Sequence, residues 1–172
     1  VDGLTKISEI SYSSRKEKQV GNFMKMLLSV AQDMRVIIIK FADRLHNMET
    51  IKHMPHIKRH RIAVETRDIY VPLAHRLGMS TVKSQLEDLV LSVLNPSGFK
   101  EIESKVKSSE RQREKFIKKV IEPVSEELKR YDIAPLIYGR AKSYASIYGK
   151  MINRNKSFKE IYDLYAIRII VE

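Results

Sequence analysis

Apolar positions recur at helical spacing along most of the chain. Across residues 33–50, Ile38, Phe41, Leu45 and Met48 fall on one side of a helix of ~3.6 residues per turn. Asp43, Asn47 and Thr50 fall on the other side, at i, i+4 and i+7. Ile37, Ile38 and Ile39 run consecutively, which predicts first turns buried all round. A helix over 17–30 repeats the spacing with Val20, Phe23, Met24, Leu27 and Leu28. A long helix over 61–77 carries Ile62, Val64, Ile69, Val71, Leu73 and Leu77, and Pro72 should kink it or mark a boundary. His75 lies within that pattern and reads as a core or interface histidine. Gly78 is a stop signal, and Ser80 or Thr81 is the expected N-cap of a helix bearing Val82, Leu86, Leu89, Val90 and Val93. Asn95 ends that helix and Pro96 opens the next.

From 99 to 130 the apolar positions thin out while Lys, Arg and Glu interleave. This predicts a long helix or helix pair interrupted near Pro123, a solvated bridge between two domains. Acids mixed among the bases argue against a helix that binds RNA. The period then changes. Residues 133–138 read as a short strand, 141–153 as a helix, and Ser157 with Glu160 as a capping box. Residues 164–171, rich in β-branched side chains, read as a second strand. The fold class is mostly α, closing on β-α-β elements.

Composition narrows the functional classes. The 172 residues are 43% hydrophobic, enough for a core, and 31% charged. There is no cysteine, so no disulfide or thiolate metal site, which suits a reducing cytoplasmic setting. No apolar run approaches ~18 residues and no signal-peptide pattern opens the chain, so a membrane partner is not expected. A formal net charge of +11 points to an anionic partner: nucleic acid, acidic lipid or nucleotide polyphosphate.

Three groups of residues carry candidate chemistry. Asp43, on an inner helix, must be desolvated at a cost unless it finds a cation or several donors. It reads either as a carboxylate bonded to a neighbouring helix or to Arg44, or as a metal ligand with Asn47 and Thr50 beside it. His53, His56 and His60 mimic ligand spacing, but Pro55 interrupts them and bases surround them. They read as an anion-facing patch. Finally, Lys142, Ser146 and Lys150 form a stripe at intervals of four, opposite an apolar face of Tyr144, Ile147, Tyr148 and Met151. Five basic residues and no acid occupy 140–156. Arg140 precedes the helix, whose free N–H groups also favour anions. A strand, a turn, an Arg fork and Lys point charges suit a triphosphate; a solvated basic face is the alternative.

The segment 41–50, FADRLHNMET, resembles the LADRLHNMRT segment of the long RelA/SpoT-type (Rel) enzymes, which make and break the alarmone (p)ppGpp. The segments 1–6 (VDGLTK), 31–33 (AQD), 72–78 (PLAHRLG) and 139–148 (GRAKSYASIY) resemble other stretches of the family, in the family's order. The resemblance runs along essentially the whole chain and implies an internal piece in three parts. Residues 1–94 would be the C-terminal part of an HD-type helical hydrolase domain. Residues 95–131 would be charged interdomain helices. Residues 132–172 would open a nucleotidyltransferase-like α/β synthetase domain.

The resemblance also implies activities and site residues. The synthetase would move pyrophosphate from ATP to the 3′-hydroxyl of GDP or GTP with Mg²⁺, and the hydrolase would remove the 3′-pyrophosphate of (p)ppGpp with Mn²⁺. Asp43 matches a Mn²⁺ ligand; Asn47 and Thr50 match nucleotide contacts; Thr5 and Lys6 belong to a loop near the same pocket. Arg140, Lys142, Ser146 and Lys150 match the family's GRxKxxxSIxxK pattern for ATP phosphates, and Asp163 matches its Mg²⁺ aspartate. Ala141 replaces a usual Pro and Gly149 a usual Arg. The ribosome is a candidate partner of the full-length protein. The remaining metal ligands are expected before Val1 and a second synthetase acid after Glu172, so the chain alone is expected to be inactive. A synthetase-only parent and a non-catalytic helical module that binds polyanions are the other readings. The retained Asp43, Asn47, Thr50 and VDGLTK loop favour the bifunctional one.

Overall fold

A computed structural model of the protein describes residues 33–108 and 110–171. The helix expected over 17–30 and the loop bearing Thr5 and Lys6 lie outside the described residues. Two compact units divide the chain, Val1–Pro55 and His56–Glu172.

In the first unit, helix α1 spans Met34–Glu49. Asp33 caps it: the carboxylate accepts from the Arg35 amide at 2.9 Å, and the Arg35 guanidinium closes on it at 2.7 Å. That guanidinium holds the Asp33 pKa at about 2. Ile37, Phe41 and Met48 are buried, as is Ile51 in the short 3₁₀ turn that follows. The expectation of all-round burial fails here, since Ile38 and Ile39 are 54% and 50% exposed. Successive helical residues turn by about 100°, so three isoleucines in a row cannot share one buried stripe.

The second unit begins with α2, His56–Glu65, which opens directly after Pro55 and earlier than the apolar pattern suggested. It continues through a π-helical turn, Thr66–Tyr70, into α3, Val71–Arg76. Pro72 explains the wider turn: its ring clashes with the carbonyl four residues back, and a looser turn relieves that clash. Thr66 is fully buried there, and its hydroxyl donates to the Ile62 carbonyl at 2.7 Å. Gly78, at φ +71°, closes α3 with two reversed hydrogen bonds, Gly78 N to His75 O and Met79 N to Ala74 O. His75 is exposed, so of the two readings, core or interface histidine, the core one does not hold.

Helix α4 spans Ser80–Leu94 and α5 spans Pro96–Ser108. Neither Ser80 nor Thr81 caps α4; the cap position is Met79 and makes no side-chain bond. Asn95 does act at the next junction, its side-chain oxygen accepting from the Gly98 amide at 3.0 Å. Helix α6, Glu110–Lys129, runs through Pro123 rather than breaking there. Pro123 and Lys119 are both exposed, where water can replace the helical hydrogen bond that a proline cannot donate.

Strand β1, Leu136–Ala141, pairs antiparallel with β2, Tyr165–Ile170, in a register from Leu136↔Ile170 to Ala141↔Tyr165. Helix α7, Tyr144–Arg154, connects them and ends on Asn155 in the left-handed region. α2 and α3 pack on α4, and α4 and α5 pack on α7. Ile102, Val106 and Ile147 form a core to which Tyr144, Tyr148, Met151, Phe158 and Leu164 add, in agreement with the apolar face expected for α7. The Ser157–Glu160 capping box is present. No helix among the described residues is long and apolar enough to cross a membrane.

Candidate functional site

The end of β1 and the start of α7 set the geometry of the basic cluster. Lys142 follows β1, and its amide donates to the Leu164 carbonyl at 3.0 Å, fixing it beside the approach to β2. Ser143 then caps α7, its hydroxyl accepting from the Ser146 amide at 3.3 Å and donating to the Ser146 hydroxyl at 2.7 Å. Lys142 therefore stands just before the helix rather than on it, while Ser146 and Lys150 lie one and two turns along. Arg140 sits in β1 opposite Ala166.

Lys142 and Lys150 converge on one oxygen of Asp163. Lys142 Nζ donates to Asp163 Oδ2 at 2.7 Å, and Lys150 Nζ hydrogen-bonds the same atom. The lysines are 23% and 28% exposed and the aspartate 54%. Lys142 first and Lys150 second hold the Asp163 carboxyl well below the usual carboxylate range, and Asp163 raises the Lys150 ammonium in return. Two ammonium groups thus meet a partly exposed, ionised carboxylate. Such a set can exchange partners: the lysines can take phosphate oxygens, and the freed carboxylate is a suitable oxygen donor for a hard divalent cation.

Two of the free N–H groups expected at the start of α7 are occupied: Asp88 of α4 accepts from the Ala145 amide at 2.7 Å, while Ser143 takes Ser146. Sequence reading passed over Asp88. Its one signal was an acid on a helix otherwise read for Leu86, Leu89 and Val90; its partner is 57 positions away. Burial pushes its pKa up, opposed chiefly by the Ala145 amide.

In the first unit, Asp43, Asn47 and Thr50 share a face of α1, as the spacing required. Asp43 is exposed, not desolvated as an inner carboxylate would be, and Asn47 is half-buried. The Thr50 hydroxyl donates to the His46 carbonyl at 2.8 Å. No group of three or more His, Cys, Asp or Glu residues among the described residues could hold a metal ion. Thr5 and Lys6 lie outside those residues.

Comparison with known proteins follows the same two-part pattern. Residues 1–80 match the HD domain family, and residues 139–172 match the family described as a region found in RelA / SpoT proteins. The chain is 43% identical to a GTP pyrophosphokinase of Myxococcus xanthus, over 99% of the chain and 23% of that protein. It is 41% identical to the bifunctional (p)ppGpp synthase/hydrolase SpoT of Escherichia coli K12, over 99% of the chain and 24% of that protein. A GTP pyrophosphokinase of Streptomyces coelicolor is 41% identical over 100% of the chain and 20% of its own length. The chain thus spans about a quarter of the length of these curated relatives. With an HD-domain match at one end, a match to a region found in RelA / SpoT proteins at the other, and 41–43% identity over 99% of the chain, the chain is similar to RelA/SpoT proteins along essentially its whole length.

Proposed function

We propose that the whole protein to which these residues belong makes and removes (p)ppGpp, acting on ATP, GDP or GTP in one direction and on (p)ppGpp in the other. The observation that carries this reading is the convergence of Lys142 and Lys150 on Asp163, three residues that match the family's ATP and Mg²⁺ positions. Relatives named as pyrophosphokinases and as a bifunctional synthase/hydrolase support it. The three-part division at 1–94, 95–131 and 132–172 belongs to the same reading.

In synthesis, the 3′-hydroxyl oxygen of GDP or GTP attacks the β-phosphorus of ATP, the bond to the α-phosphate oxygen breaks, and AMP leaves. Lys142 and Lys150 hold the ATP phosphates as point charges, Arg140 adds a guanidinium fork, and Ser146 a hydroxyl. Release from the lysines leaves Asp163 as an ionised, exposed ligand for Mg²⁺, which fits its geometry as one donor among several. The metal supplies charge stabilisation to the transferring group. In hydrolysis, water displaces the 3′-pyrophosphate. Asp43 would be one ligand of a Mn²⁺ that polarises that water, with Asn47, Thr50, Thr5 and Lys6 around the nucleotide. The exposed Asp43 fits such a site only as a single donor, since no cluster of ligands accompanies it among the described residues.

The whole protein tests this directly. With ATP, GDP and Mg²⁺ it should yield AMP and ppGpp; with ppGpp and Mn²⁺ it should yield GDP and pyrophosphate. Lys142→Ala removes a charge-assisted phosphate contact of about 1.5–3 kcal/mol, so synthesis should fall by roughly 10- to 150-fold with hydrolysis retained. A wild-type protein that forms no ppGpp would exclude the synthetase role, and equal loss of both activities in Lys142→Ala would mean that the lysine acts through folding.

A further inference from the structure

Two polar side chains of the α4–α5 stretch reach across to α7. Asp88 Oδ1 accepts from the Ala145 amide at 2.7 Å. Asn95 Nδ2 donates to the Tyr148 hydroxyl at 2.7 Å. Asp88 lies on α4, and Asn95, seven residues on, is the cap that ends it. Ala145 and Tyr148 are three apart, on one face of α7. The two bonds therefore act as a pair of clasps along the α4–α7 contact. Neither clasp belongs to the cluster around Asp163, yet the helix they grip carries Ser146 and Lys150.

The chemistry of the Asp88 clasp suits a positioning role. An amide N–H in the first helical turn has no partner within its own helix, and a carboxylate placed there also meets the positive end of the helix dipole. Asp88 is partly buried and charged, a costly state unless its oxygens are engaged. It lines a cavity of about 650 Å³ together with Ser84, Lys142, Ser143 and Tyr144. The cavity leaves room to hydrate Oδ2, the carboxylate oxygen that the Ala145 amide does not use. Ser143 satisfies the third amide of the turn, so the start of α7 is fixed from both its own cap and α4. The register of α7 against β1 and Asp163 depends on that start.

We infer that Asp88 is a positioning residue for the phosphate-binding helix: through the Ala145 amide it holds α7 so that Ser146 and Lys150 meet the ATP phosphates, with Asn95 and Tyr148 as the second clasp. This rests on the proposed role of α7 in binding ATP. It also means that the triphosphate is held mainly by side-chain cations, since the Ala145 and Ser146 amides of the helix N-terminus are already taken.

The test uses the whole protein and follows kcat and KM for ATP and for GDP in synthesis, together with ppGpp hydrolysis. Asp88→Ala should lower kcat/KM for ATP on the order of 10- to 100-fold, as expected for misplacement of a binding group by about an ångström. KM for GDP and hydrolysis should stay near wild type. Asp88→Asn keeps an oxygen that accepts the Ala145 amide and should recover most of the loss. Tyr148→Phe removes only the hydroxyl of the second clasp and should shift KM for ATP several-fold in the same direction, which keeps the inference testable if Asp88→Ala folds poorly. An unchanged KM for ATP in both Asp88→Ala and Tyr148→Phe would overturn it. So would tighter ATP binding in Asp88→Ala, which would make the carboxylate a competitor for phosphate. Synthesis and hydrolysis falling together would reduce Asp88 to a general structural role. A wild-type protein that makes no ppGpp would instead bring down the proposed function, and this inference with it.

Discussion

Asp163 and Asp88 are two carboxylates of the same unit held in opposite ways. Lys142 and Lys150 favour the ionised form of Asp163, whose folded pKa is depressed below the ordinary 3.8. Its contribution to stability is therefore complete above pH 3.8 and fades as the pH falls through the lower folded value. Burial disfavours the ionised form of Asp88, whose folded pKa is raised, so its contribution runs the other way and weakens as the pH rises through that value. Carboxyl-carbon NMR of the ligand-free protein should find the two midpoints on opposite sides of 3.8. Replacing both Lys142 and Lys150 by Met should bring the Asp163 midpoint back up and leave Asp88 where it was. An Asp163 midpoint unmoved by that pair of changes would contradict the convergence on its oxygen. Asp163 could be picked out of the sequence only through its resemblance to a family pattern. Local spacing joins Lys142 to Lys150, but nothing local ties either to an aspartate 21 or 13 positions on. Asp88 was illegible for the same reason, since a cap supplied from another helix leaves no signature near the helix it caps.

Helices carry the most legible features, and their glycines and prolines mark where legibility ends. Gly149 in α7 replaces the Arg usual in the resembling pattern, and a Cβ built there would meet nothing within 4 Å. Gly149→Ala should therefore stabilise the protein by roughly 1 kcal/mol through helix propensity alone. Gly98 in α5 differs: a Cβ would come 2.7 Å from the Tyr148 ring, which Asn95 holds by its hydroxyl, and 3.0 Å from Asn95 itself. Gly98→Ala should cost about 1–3 kcal/mol through overpacking. Urea unfolding of both variants gives the two signs at once; a stabilised Gly98→Ala would mean that Tyr148 is free to move. Sequence pattern located α1, α4 and the Asn95–Pro96 junction because amphipathic period and proline chemistry are local. It misjudged Ile38 and Ile39 because hydrophobicity alone does not say which side of a helix is covered. It expected a break at Pro123 that exposure makes unnecessary, whereas Pro72 does alter its helix by widening the preceding turn.

Across the whole molecule, the resemblance to the RelA/SpoT family supplied what period and spacing could not: the order of the segments and the division of labour between them. The HD match covers 1–80 and the RelA/SpoT match 139–172. Asp43 belongs to the compact unit Val1–Pro55, while Lys142 and Asp163 belong to His56–Glu172. Sites built on separate units with no shared residues should respond to substitution independently, because coupling energies are small between groups without common partners. Asp43 is well suited to test this. Its side chain is exposed in mid-helix, so Asp43→Ala should shift stability by no more than about 0.5 kcal/mol, and alanine is the better helix former. A metal site that loses a carboxylate ligand, by contrast, loses affinity and geometry together. In the whole protein, Asp43→Ala should abolish Mn²⁺-dependent removal of the 3′-pyrophosphate from ppGpp, leave the thermal midpoint in place, and keep synthesis from ATP and GDP near wild type. Lys142→Ala gives the complementary pattern, and the pair of variants separates the two activities without any change of fold. Hydrolysis that persists in Asp43→Ala would remove this aspartate from the metal site and leave the exposed face of α1 without its proposed role.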